Sequence, residues 1–202
     1  MAIKNIVFDF EGVFIKWVPF NVFGKHVKSE IEMERILEEI NHPQISQDSD
    51  LGVNTFSYFI QETIKKFPHY KDALSDYDTN WMDVITEIPG TLQLAKNLKK
   101  KGYKVYGLSN FSLDKTPEVQ SKYDFCEHLD GYIVSAFVKA IKPDAAIYNM
   151  LCEKYNFKAE ESVFFDDRQI NIDGAKAVGM KGFVFTTPQK AQQDLLTLGI
   201  KA

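Results

Sequence analysis

The stretch KNIVFDFEGVF, Lys4–Phe14, decides the fold of this chain. Its apolar run ends at Asp9, and a second acid, Glu11, follows two residues later, directly before Gly12. Short continuous apolar runs are typical of strands that are buried on both faces, as in parallel sheets. A buried strand that ends on two carboxylates therefore predicts a polar site at one edge of a parallel sheet.

Length and composition describe an ordinary globular protein. The length of 202 residues is enough for one compact domain with an insertion. The composition is 45% hydrophobic and 26% charged. The net charge of −4 argues against nucleic acid as a partner, and no apolar run is long enough to span a bilayer. The N-terminal residues carry no secretion signal, and Cys126 and Cys152 are expected to be free thiols. These features predict a cytoplasmic protein, a monomer or weak homodimer.

Further apolar runs follow the first, and helical patterns separate them. An alternation of strand and helix in this order is typical of an α/β protein with crossover helices. We therefore predict a Rossmann-like open parallel sheet with flanking helices. The further strands are predicted in the runs YKVYGLS, GYIVSA, SVFFD and GFVFT, which end at Ser109, Ala136, Asp166 and Thr186.

The segment between the first strand and the second run has a different pattern. From Phe20 to Ile88 the apolar residues fall at helical spacing and no strand-like run occurs. This predicts a small helical insertion, residues 17–86, after the first strand, while residues 1–16 and 87–202 form the α/β core. The aromatic residues Trp17 and Phe20, at the start of the insertion, are expected to pack in its interior, and the alternatives are a place at the hinge or one that faces the substrate.

Polar and charged side chains follow several of the apolar runs. Because the carboxyl ends of parallel strands face one edge of the sheet, we expect these side chains to meet in space. Clustered carboxylates repel one another unless a cation lies between them, and Mg²⁺ prefers such hard oxygen ligands. The residues concerned are Asp9 and Glu11, Ser109 and Asn110, Lys142, and Asp166 and Asp167.

This set has a definite chemical use. A carboxylate such as Asp9 can attack phosphorus and form an acyl phosphate, provided that a metal ion and a lysine offset the repulsion between two anions. Glu11 is placed to protonate the leaving alcohol and later to activate water. Ser109 and the backbone N–H groups near it are suited to binding phosphate.

The segments VFDFEGV, GLSN, IKPD and VFFDDRQINIDGAKAVG resemble the four motifs of the haloacid dehalogenase-like superfamily, in the right order along the core. The helical insertion resembles the four-helix cap of subfamily I. The fourth segment is similar to bacterial sugar-phosphate phosphatases of the alpha-glucose-1-phosphate phosphatase type. The resemblance implies a magnesium-dependent phosphatase that acts on a small phosphate ester, with a sugar phosphate favoured.

The resemblance also implies roles for the residues that bind phosphate. Asp9 matches the nucleophile, and Ser109 matches the phosphate-binding hydroxyl, with the backbone of Asn110 beside it. Lys142 matches the lysine that steadies both the nucleophile and the phosphate.

A second group of positions matches the metal site of the family. Asp167 matches the main acidic ligand, and Asp166 matches a second or water-mediated one. Asp9 and the backbone carbonyl of Glu11 complete the ligands, and Asn171 matches an outer position.

Glu11 departs from the pattern, because most phosphatases of the family carry aspartate there. Glutamate keeps the acid but places it one methylene farther from the backbone. Two alternatives stay open at this point. The first is a metal-independent 2-haloacid dehalogenase in which Asp9 attacks carbon, and the paired acids Asp166 and Asp167 argue against it. The second is a phosphate-binding homologue with weak turnover.

Overall fold

The computed structural model describes residues 2–40 and 43–201, without the side chains of residues 43–45. Its strands form one parallel sheet of five and one antiparallel pair. In chain order the strands are β1 Asn5–Phe8, β2 Ile15–Trp17, β3 Ile85–Glu87, β4 Lys104–Ser109, β5 Gly131–Val134, β6 Ser162–Asp166 and β7 Lys181–Val184.

Helices occupy most of the remaining described chain. The α-helices are α1 Phe20–Phe23, α2 Glu30–Ile40, α3 Pro43–Asp50, α4 Phe56–Lys66, α5 Lys71–Thr79, α6 Thr91–Lys100, α7 Lys115–Lys122, α8 Ser135–Val138, α9 Ala145–Tyr155, α10 Gln169–Ala177 and α11 Pro188–Thr197. Short 3₁₀ helices cover Pro68–Tyr70, Trp81–Asp83, Asp124–His128 and Ala159–Glu161. Within the described residues no helix is long and apolar enough to cross a membrane.

The five-stranded sheet has the order β5-β4-β1-β6-β7, and all of its pairings are parallel. This arrangement confirms the predicted α/β class. The chain moves outward from β1 to β4 and β5, and then returns to the other side of β1 for β6 and β7. Such a reversal creates a crevice at the carboxyl ends of the central strands, where ligands bind in open α/β sheets.

The central strand β1 is buried on both faces, as its continuous apolar run predicts. Ile6 and Phe8 belong to one buried cluster, while Val7 belongs to the other, because successive side chains of a strand point to opposite faces. The ring of Phe8 stacks on Phe165 of β6, with 5.4 Å between centroids, and meets Phe14 edge-on. These contacts fix the end of β1 against the end of β6.

The outer strands are shorter than the sequence runs predicted. The sequence predicts the third strand to end at Ala136, but β5 ends at Val134, because the chain turns there into the short helix α8. The sequence predicts the last strand to end at Thr186, and β7 ends at Val184.

Two further corrections concern the insertion. The sequence predicted no strand between Phe20 and Ile88, but Ile85–Glu87 forms β3, which pairs antiparallel with β2 outside the main sheet. Three residues are too few to show a strand pattern, and the partner strand is distant in the sequence. Phe20 is 54% exposed, so its expected interior packing is wrong, whereas Trp17 is partly buried and donates from Nε1 to Tyr77 Oη at 3.0 Å.

The packing of β6 gives a test of this core. Replacing Phe165, which is fully buried, with Ala should lower the free energy of unfolding by about 3–5 kcal/mol, since a large cavity opens between β1 and β7. The matched control is Phe137→Ala on α8, where the ring is 55% exposed and the expected loss is about 0.5 kcal/mol or less. Urea denaturation measures both, and equal losses would contradict the packing described.

Candidate active site

The carboxyl ends of β1 and β6 bring two acids to one lysine. Asp9 follows β1, Asp166 ends β6, and Lys142 lies in the loop before α9. Lys142 Nζ is 2.8 Å from Asp9 Oδ2 and 2.6 Å from Asp166 Oδ2. All three side chains are buried. The structure therefore brings together three residues that lie far apart in the sequence, as their positions after strands predicted.

The pKa values of Asp9, Asp166 and Lys142 are shifted in different directions by burial and by their mutual charges. Burial and the charge of Asp166 raise the pKa of Asp9 to about 8, against the opposing effect of Lys142. Burial would also raise the pKa of Asp166, but Lys142 and several hydrogen bonds outweigh it and lower that pKa. Burial would lower the pKa of Lys142, and the two carboxylates reverse this and raise it. A second cation beside Asp9 would favour its ionised form.

Asp166 is engaged on both of its oxygens. Oδ2 meets Lys142, and Oδ1 accepts hydrogen bonds from the backbone N–H of Arg168 at 2.8 Å and from Asn171 Nδ2 at 2.9 Å. Asn171 Nδ2 also lies 3.0 Å from Oδ2. Asp166 thus orients Lys142 and Asn171, which leaves less of its carboxylate free for a metal ion than the sequence suggested.

The donor set nevertheless fits a hard cation. Asp9, Asp166 and Asp167 each offer a carboxylate oxygen, and these oxygens lie within 4.8 Å of one another. Among the described residues, Asn171 Oδ1 and Ser109 Oγ are buried without a hydrogen-bond partner. Buried polar atoms are rarely left unpaired in native proteins. Oxygen donors that converge in this way suit Mg²⁺ and the waters that it retains.

Glu11 contributes to the site in a different way. Its carboxylate lies outside the cluster of three acids and lines the adjoining cavity instead. The side chain has solvent-accessible surface within that cavity, yet protein surrounds it, and burial followed by the charge of Asp167 raises its pKa. The ligand that the family resemblance implies for Glu11 is therefore its backbone carbonyl.

The backbone conformation and close surroundings of residue 12 explain why the opening stretch has a glycine there. Its φ of +74° lies in the left-handed region, and a Cβ at this position would come within 2.4 Å of Asp167 Cγ. Glycine alone avoids both the strain and the clash. The loop after β1 can therefore approach the loop after β6 closely enough to bring Asp9 and Asp167 together.

Asn110 has a role that the sequence did not predict. Its side-chain amide donates from Nδ2 to the carbonyl of Lys142 at 3.0 Å, and its Oδ1 accepts from the backbone N–H of Lys142 at 2.8 Å. This paired contact fixes the backbone that carries the buried lysine. Ser109, which ends β4, is 1% exposed and lies near enough to Asp9 to lower the pKa of that acid slightly.

A cavity of about 330 Å³ lies between the strand ends and the helical insertion. Ser109 and Asp166 are not among the residues that line it. The predicted site residues in its wall are Asp9, Glu11, Asn110, Lys142, Asp167 and Asn171.

The cavity also includes residues that sequence reasoning missed. Asp50, Lys115 and Arg168 all line it. Arg168 directly follows the paired acids, and that position was the available signal. Asp50 lies in the polar stretch of α3 and Lys115 at the start of α7, where no motif distinguishes them.

The whole-chain comparison identifies the class. A family model described as haloacid dehalogenase-like hydrolase matches residues 6–185, so the chain belongs to that family.

Individual relatives are more distant. The chain is 33% identical over 108 residues to bifunctional epoxide hydrolase 2 of Mus musculus, and the match covers 52% of this chain but only 20% of that protein. It is 20% identical to a phosphorylated carbohydrates phosphatase of Thermotoga maritima, over 88% of this chain and 82% of that one. A haloacid dehalogenase family enzyme of Bacteroides thetaiotaomicron, in complex with magnesium and inorganic phosphate, has the same fold with a TM-score of 0.70 at 21% identity, covering 91% of this chain and 94% of that chain.

The environment of Asp50 gives a pH-dependent prediction. Burial and the charge of Glu11 raise the pKa of Asp50 from 3.8 to about 7, against the opposing charges of Lys142 and Arg168. Because the folded protein then binds the proton more tightly than the unfolded chain, this stabilisation is complete at low pH and is lost as the pH rises through about 7.

Asp50→Asn should therefore raise the free energy of unfolding relative to the parent more at about pH 8 than at about pH 5. Denaturant titrations at both pH values measure this difference. Asp72→Asn, which changes an exposed carboxylate of α5, controls for the change in net charge. A difference between parent and Asp50→Asn that stays constant with pH would contradict the prediction.

Proposed function

We propose that this protein is a magnesium-dependent phosphatase that hydrolyses a small phosphorylated metabolite through an aspartyl-phosphate on Asp9. The observation that carries the proposal is the contact of Lys142 with Asp9 and Asp166, beside the three-carboxylate cluster. A carboxylate nucleophile and a phosphate are both anions, so their reaction needs positive charge at this point. The similarity to the phosphorylated carbohydrates phosphatase of Thermotoga maritima supports a phosphatase function, and so does the fold shared with the Bacteroides enzyme in complex with magnesium and inorganic phosphate.

In the first step Asp9 attacks phosphorus, the bond from phosphorus to the ester oxygen breaks, and Glu11 gives its proton to the departing alkoxide. In the second step the Glu11 carboxylate takes a proton from water, whose oxygen attacks the phosphorus. The acyl-phosphate bond breaks, and inorganic phosphate and the Asp9 carboxylate result. Asp9 Oδ1 accepts a hydrogen bond from the backbone N–H of Phe10 at 2.7 Å, which orients the nucleophile.

The metal ion would be held by Asp9, Asp167 and the backbone carbonyl of Glu11, with Asp166 acting through water. When bound, Mg²⁺ supplies charge neutralisation for the nucleophile and the phosphate. Lys142 supplies the protein's own positive charge and keeps the Asp9 carboxylate in position. Ser109 and the backbone at Asn110 would hold the phosphate oxygens.

Glu11 is suited to acid–base chemistry by its surroundings. Burial, followed by the nearby charge of Asp167, raises the pKa of Glu11 above its ordinary value. A general acid is most effective when its pKa lies close to the working pH. The carboxylate lines the cavity, where the leaving group would lie.

We further propose that residues 17–86 act as a cap of the subfamily I type, which closes over the site, excludes water and selects the substrate. The β2–β3 pair forms the stem through which the chain enters and leaves this segment. Cap residues and core residues line the same cavity. We propose a monomer or weak homodimer in the cytoplasm, with neither nucleic acid nor membrane as a partner.

A sugar phosphate is the favoured substrate. The cavity volume of about 330 Å³ lies at the small end of ligand pockets and suits a small metabolite. The similarity of the fourth motif to sugar-phosphate phosphatases supports this class, and so does the similarity of the chain to the phosphorylated carbohydrates phosphatase of Thermotoga maritima. A metal-free dehalogenase would still use Asp166 to orient Lys142, but it would gain nothing from a further carboxylate at Asp167. Assays with a phosphate ester and a 2-haloacid, each with and without Mg²⁺, separate the two reactions.

Asp9→Asn keeps the size of the side chain but removes the attacking charge, so phosphatase turnover should fall to background while the fold is retained. Steady-state assays measure the rate, and circular dichroism checks the fold. In the parent, rapid acid quenching with a good substrate should trap one phosphoryl group on the peptide that contains Asp9. Near-full activity of Asp9→Asn would exclude this residue as the nucleophile.

Asp167→Ala should lower magnesium affinity and activity together, because it removes one of a few carboxylate ligands. Activity measured across a Mg²⁺ titration gives the apparent affinity. Asp166→Ala should instead lower the free energy of unfolding by about 3–5 kcal/mol, since it breaks a buried ion pair with Lys142. An unchanged magnesium titration for Asp167→Ala would refute its role as a ligand.

Glu11→Gln should lower the hydrolysis of a sugar phosphate by roughly 10²-fold or more, the usual effect of losing an acid–base group. Glu11→Asp should raise turnover, because the shorter side chain has fewer rotamers to order. Aryl phosphates with good leaving groups need less protonation, so their first step should suffer less. Equal rates for Glu11→Gln and the parent on a sugar phosphate would show that Glu11 is not the acid.

A further inference from the structure

Besides the charged groups at the strand ends, two further kinds of side chain line the cavity. Polar side chains come from helix α3 of the insertion, which contributes the acid Asp50 together with Ser46 and Ser49. Five aromatic side chains, which we call the aromatic wall, line it as well: Trp17, Phe56, Tyr77, Trp81 and Phe111. A cavity lined by both kinds suits a ring or chain that carries hydroxyl groups as well as C–H groups.

Asp50 is fixed relative to the strand ends by its backbone. The hydroxyl of Ser135, which is fully buried, donates to the Asp50 carbonyl at 2.6 Å and accepts from the backbone N–H of Phe111 at 3.0 Å. Two residues later, the carbonyl of Gly52 accepts from Lys139 Nζ. Two core residues therefore hold this end of α3 over the site, so the carboxylate of Asp50 has a defined place in the cavity.

The carboxylate of Asp50 has no hydrogen-bond or ion-pair partner among the described side chains, although it is partly buried. The charged groups that act on it are Glu11, Lys142 and Arg168. Lys115, the other cation in the cavity wall, is already paired with Asp78 at 3.3 Å and Glu118 at 3.1 Å. A partly buried acceptor without a protein donor is left to water or to a ligand that donates hydrogen bonds.

We propose that Asp50 is a specificity-determining residue, whose carboxylate accepts hydrogen bonds from hydroxyl groups of the leaving alcohol while the aromatic wall covers its C–H face. The inference rests on the proposed phosphatase function and narrows its substrates to polyhydroxylated phosphate esters. Asp50 does not touch the reacting atoms, so its contribution should appear as selectivity between leaving groups. Ser135 is the corresponding positioning residue, because its hydroxyl bonds to the backbone of Asp50 and of Phe111 and does not line the cavity itself.

The test compares two phosphate esters, a hexose 6-phosphate and cyclohexylmethyl phosphate. Both release a primary alkoxide attached to a ring of similar size, and they differ in the hydroxyl groups on that ring. The parent should have the higher kcat/KM for the hexose phosphate. Asp50→Ala should lower that value by about 10- to 100-fold, the range for a lost hydrogen bond to a charged group. It should change the value for cyclohexylmethyl phosphate by about threefold or less, which also shows that the variant folds. Ser135→Ala should reduce the same selectivity in the same direction, and Asp50→Asn, which keeps an acceptor oxygen, should lose less than Asp50→Ala.

Asp72→Asn, at an exposed position of α5, is the matched control and should leave both values unchanged. Calorimetry in the Asp9→Asn background should show the same loss of hexose phosphate affinity on adding Asp50→Ala, without turnover. If Asp50→Ala lowers kcat/KM equally for both substrates, or for neither, the inference is overturned while the phosphatase proposal stands. If the parent hydrolyses neither ester in the presence of Mg²⁺, both are overturned.

Discussion

The contact of one buried lysine with two buried carboxylates sets the geometry of this molecule. Lys142 Nζ lies 2.8 Å from Asp9 and 2.6 Å from Asp166, and all three side chains are buried. Buried charges cost several kcal/mol each unless their partners are placed well. The surrounding hydrogen bonds supply that placement. Asn110 fixes the backbone of Lys142 on both sides, and Asn171 orients Asp166.

The sheet topology makes this contact possible. β1 lies between β4 and β6, so the ends of these strands meet beside Asp9 although their residues are distant in sequence. Parallel pairing aligns the strand ends, and the stacked rings of Phe8 and Phe165 hold β1 and β6 in register. Gly12 then lets the first loop approach Asp167 without a clash. Strand order, core packing and one glycine thus together produce a concentration of negative charge that suits a cation.

The core and the insertion contribute different kinds of side chain to the cavity. The core contributes most of the charged groups that line it. The insertion contributes Asp50 and most of the aromatic wall. Core residues contact the insertion at several points. Asp114 accepts hydrogen bonds from the backbone N–H groups of Phe56 and Ser57 at the start of α4, and Lys115 forms an ion pair with Asp78. These contacts hold the insertion against the core, so that side chains of both line one cavity.

The sequence by itself determined the α/β class, the strands of the parallel sheet and the convergence of Asp9, Lys142 and Asp166, because buried strands have a local apolar pattern and parallel strands end at one edge. It did not predict β3, whose three residues form a strand only through pairing with distant β2. Nor did it predict that Asp166 is held by Lys142 and Asn171, or that Asp50 reaches the cavity. Those features depend on which side chains meet across the folded chain, and only the tertiary structure decides such contacts, since no local pattern in the sequence encodes them.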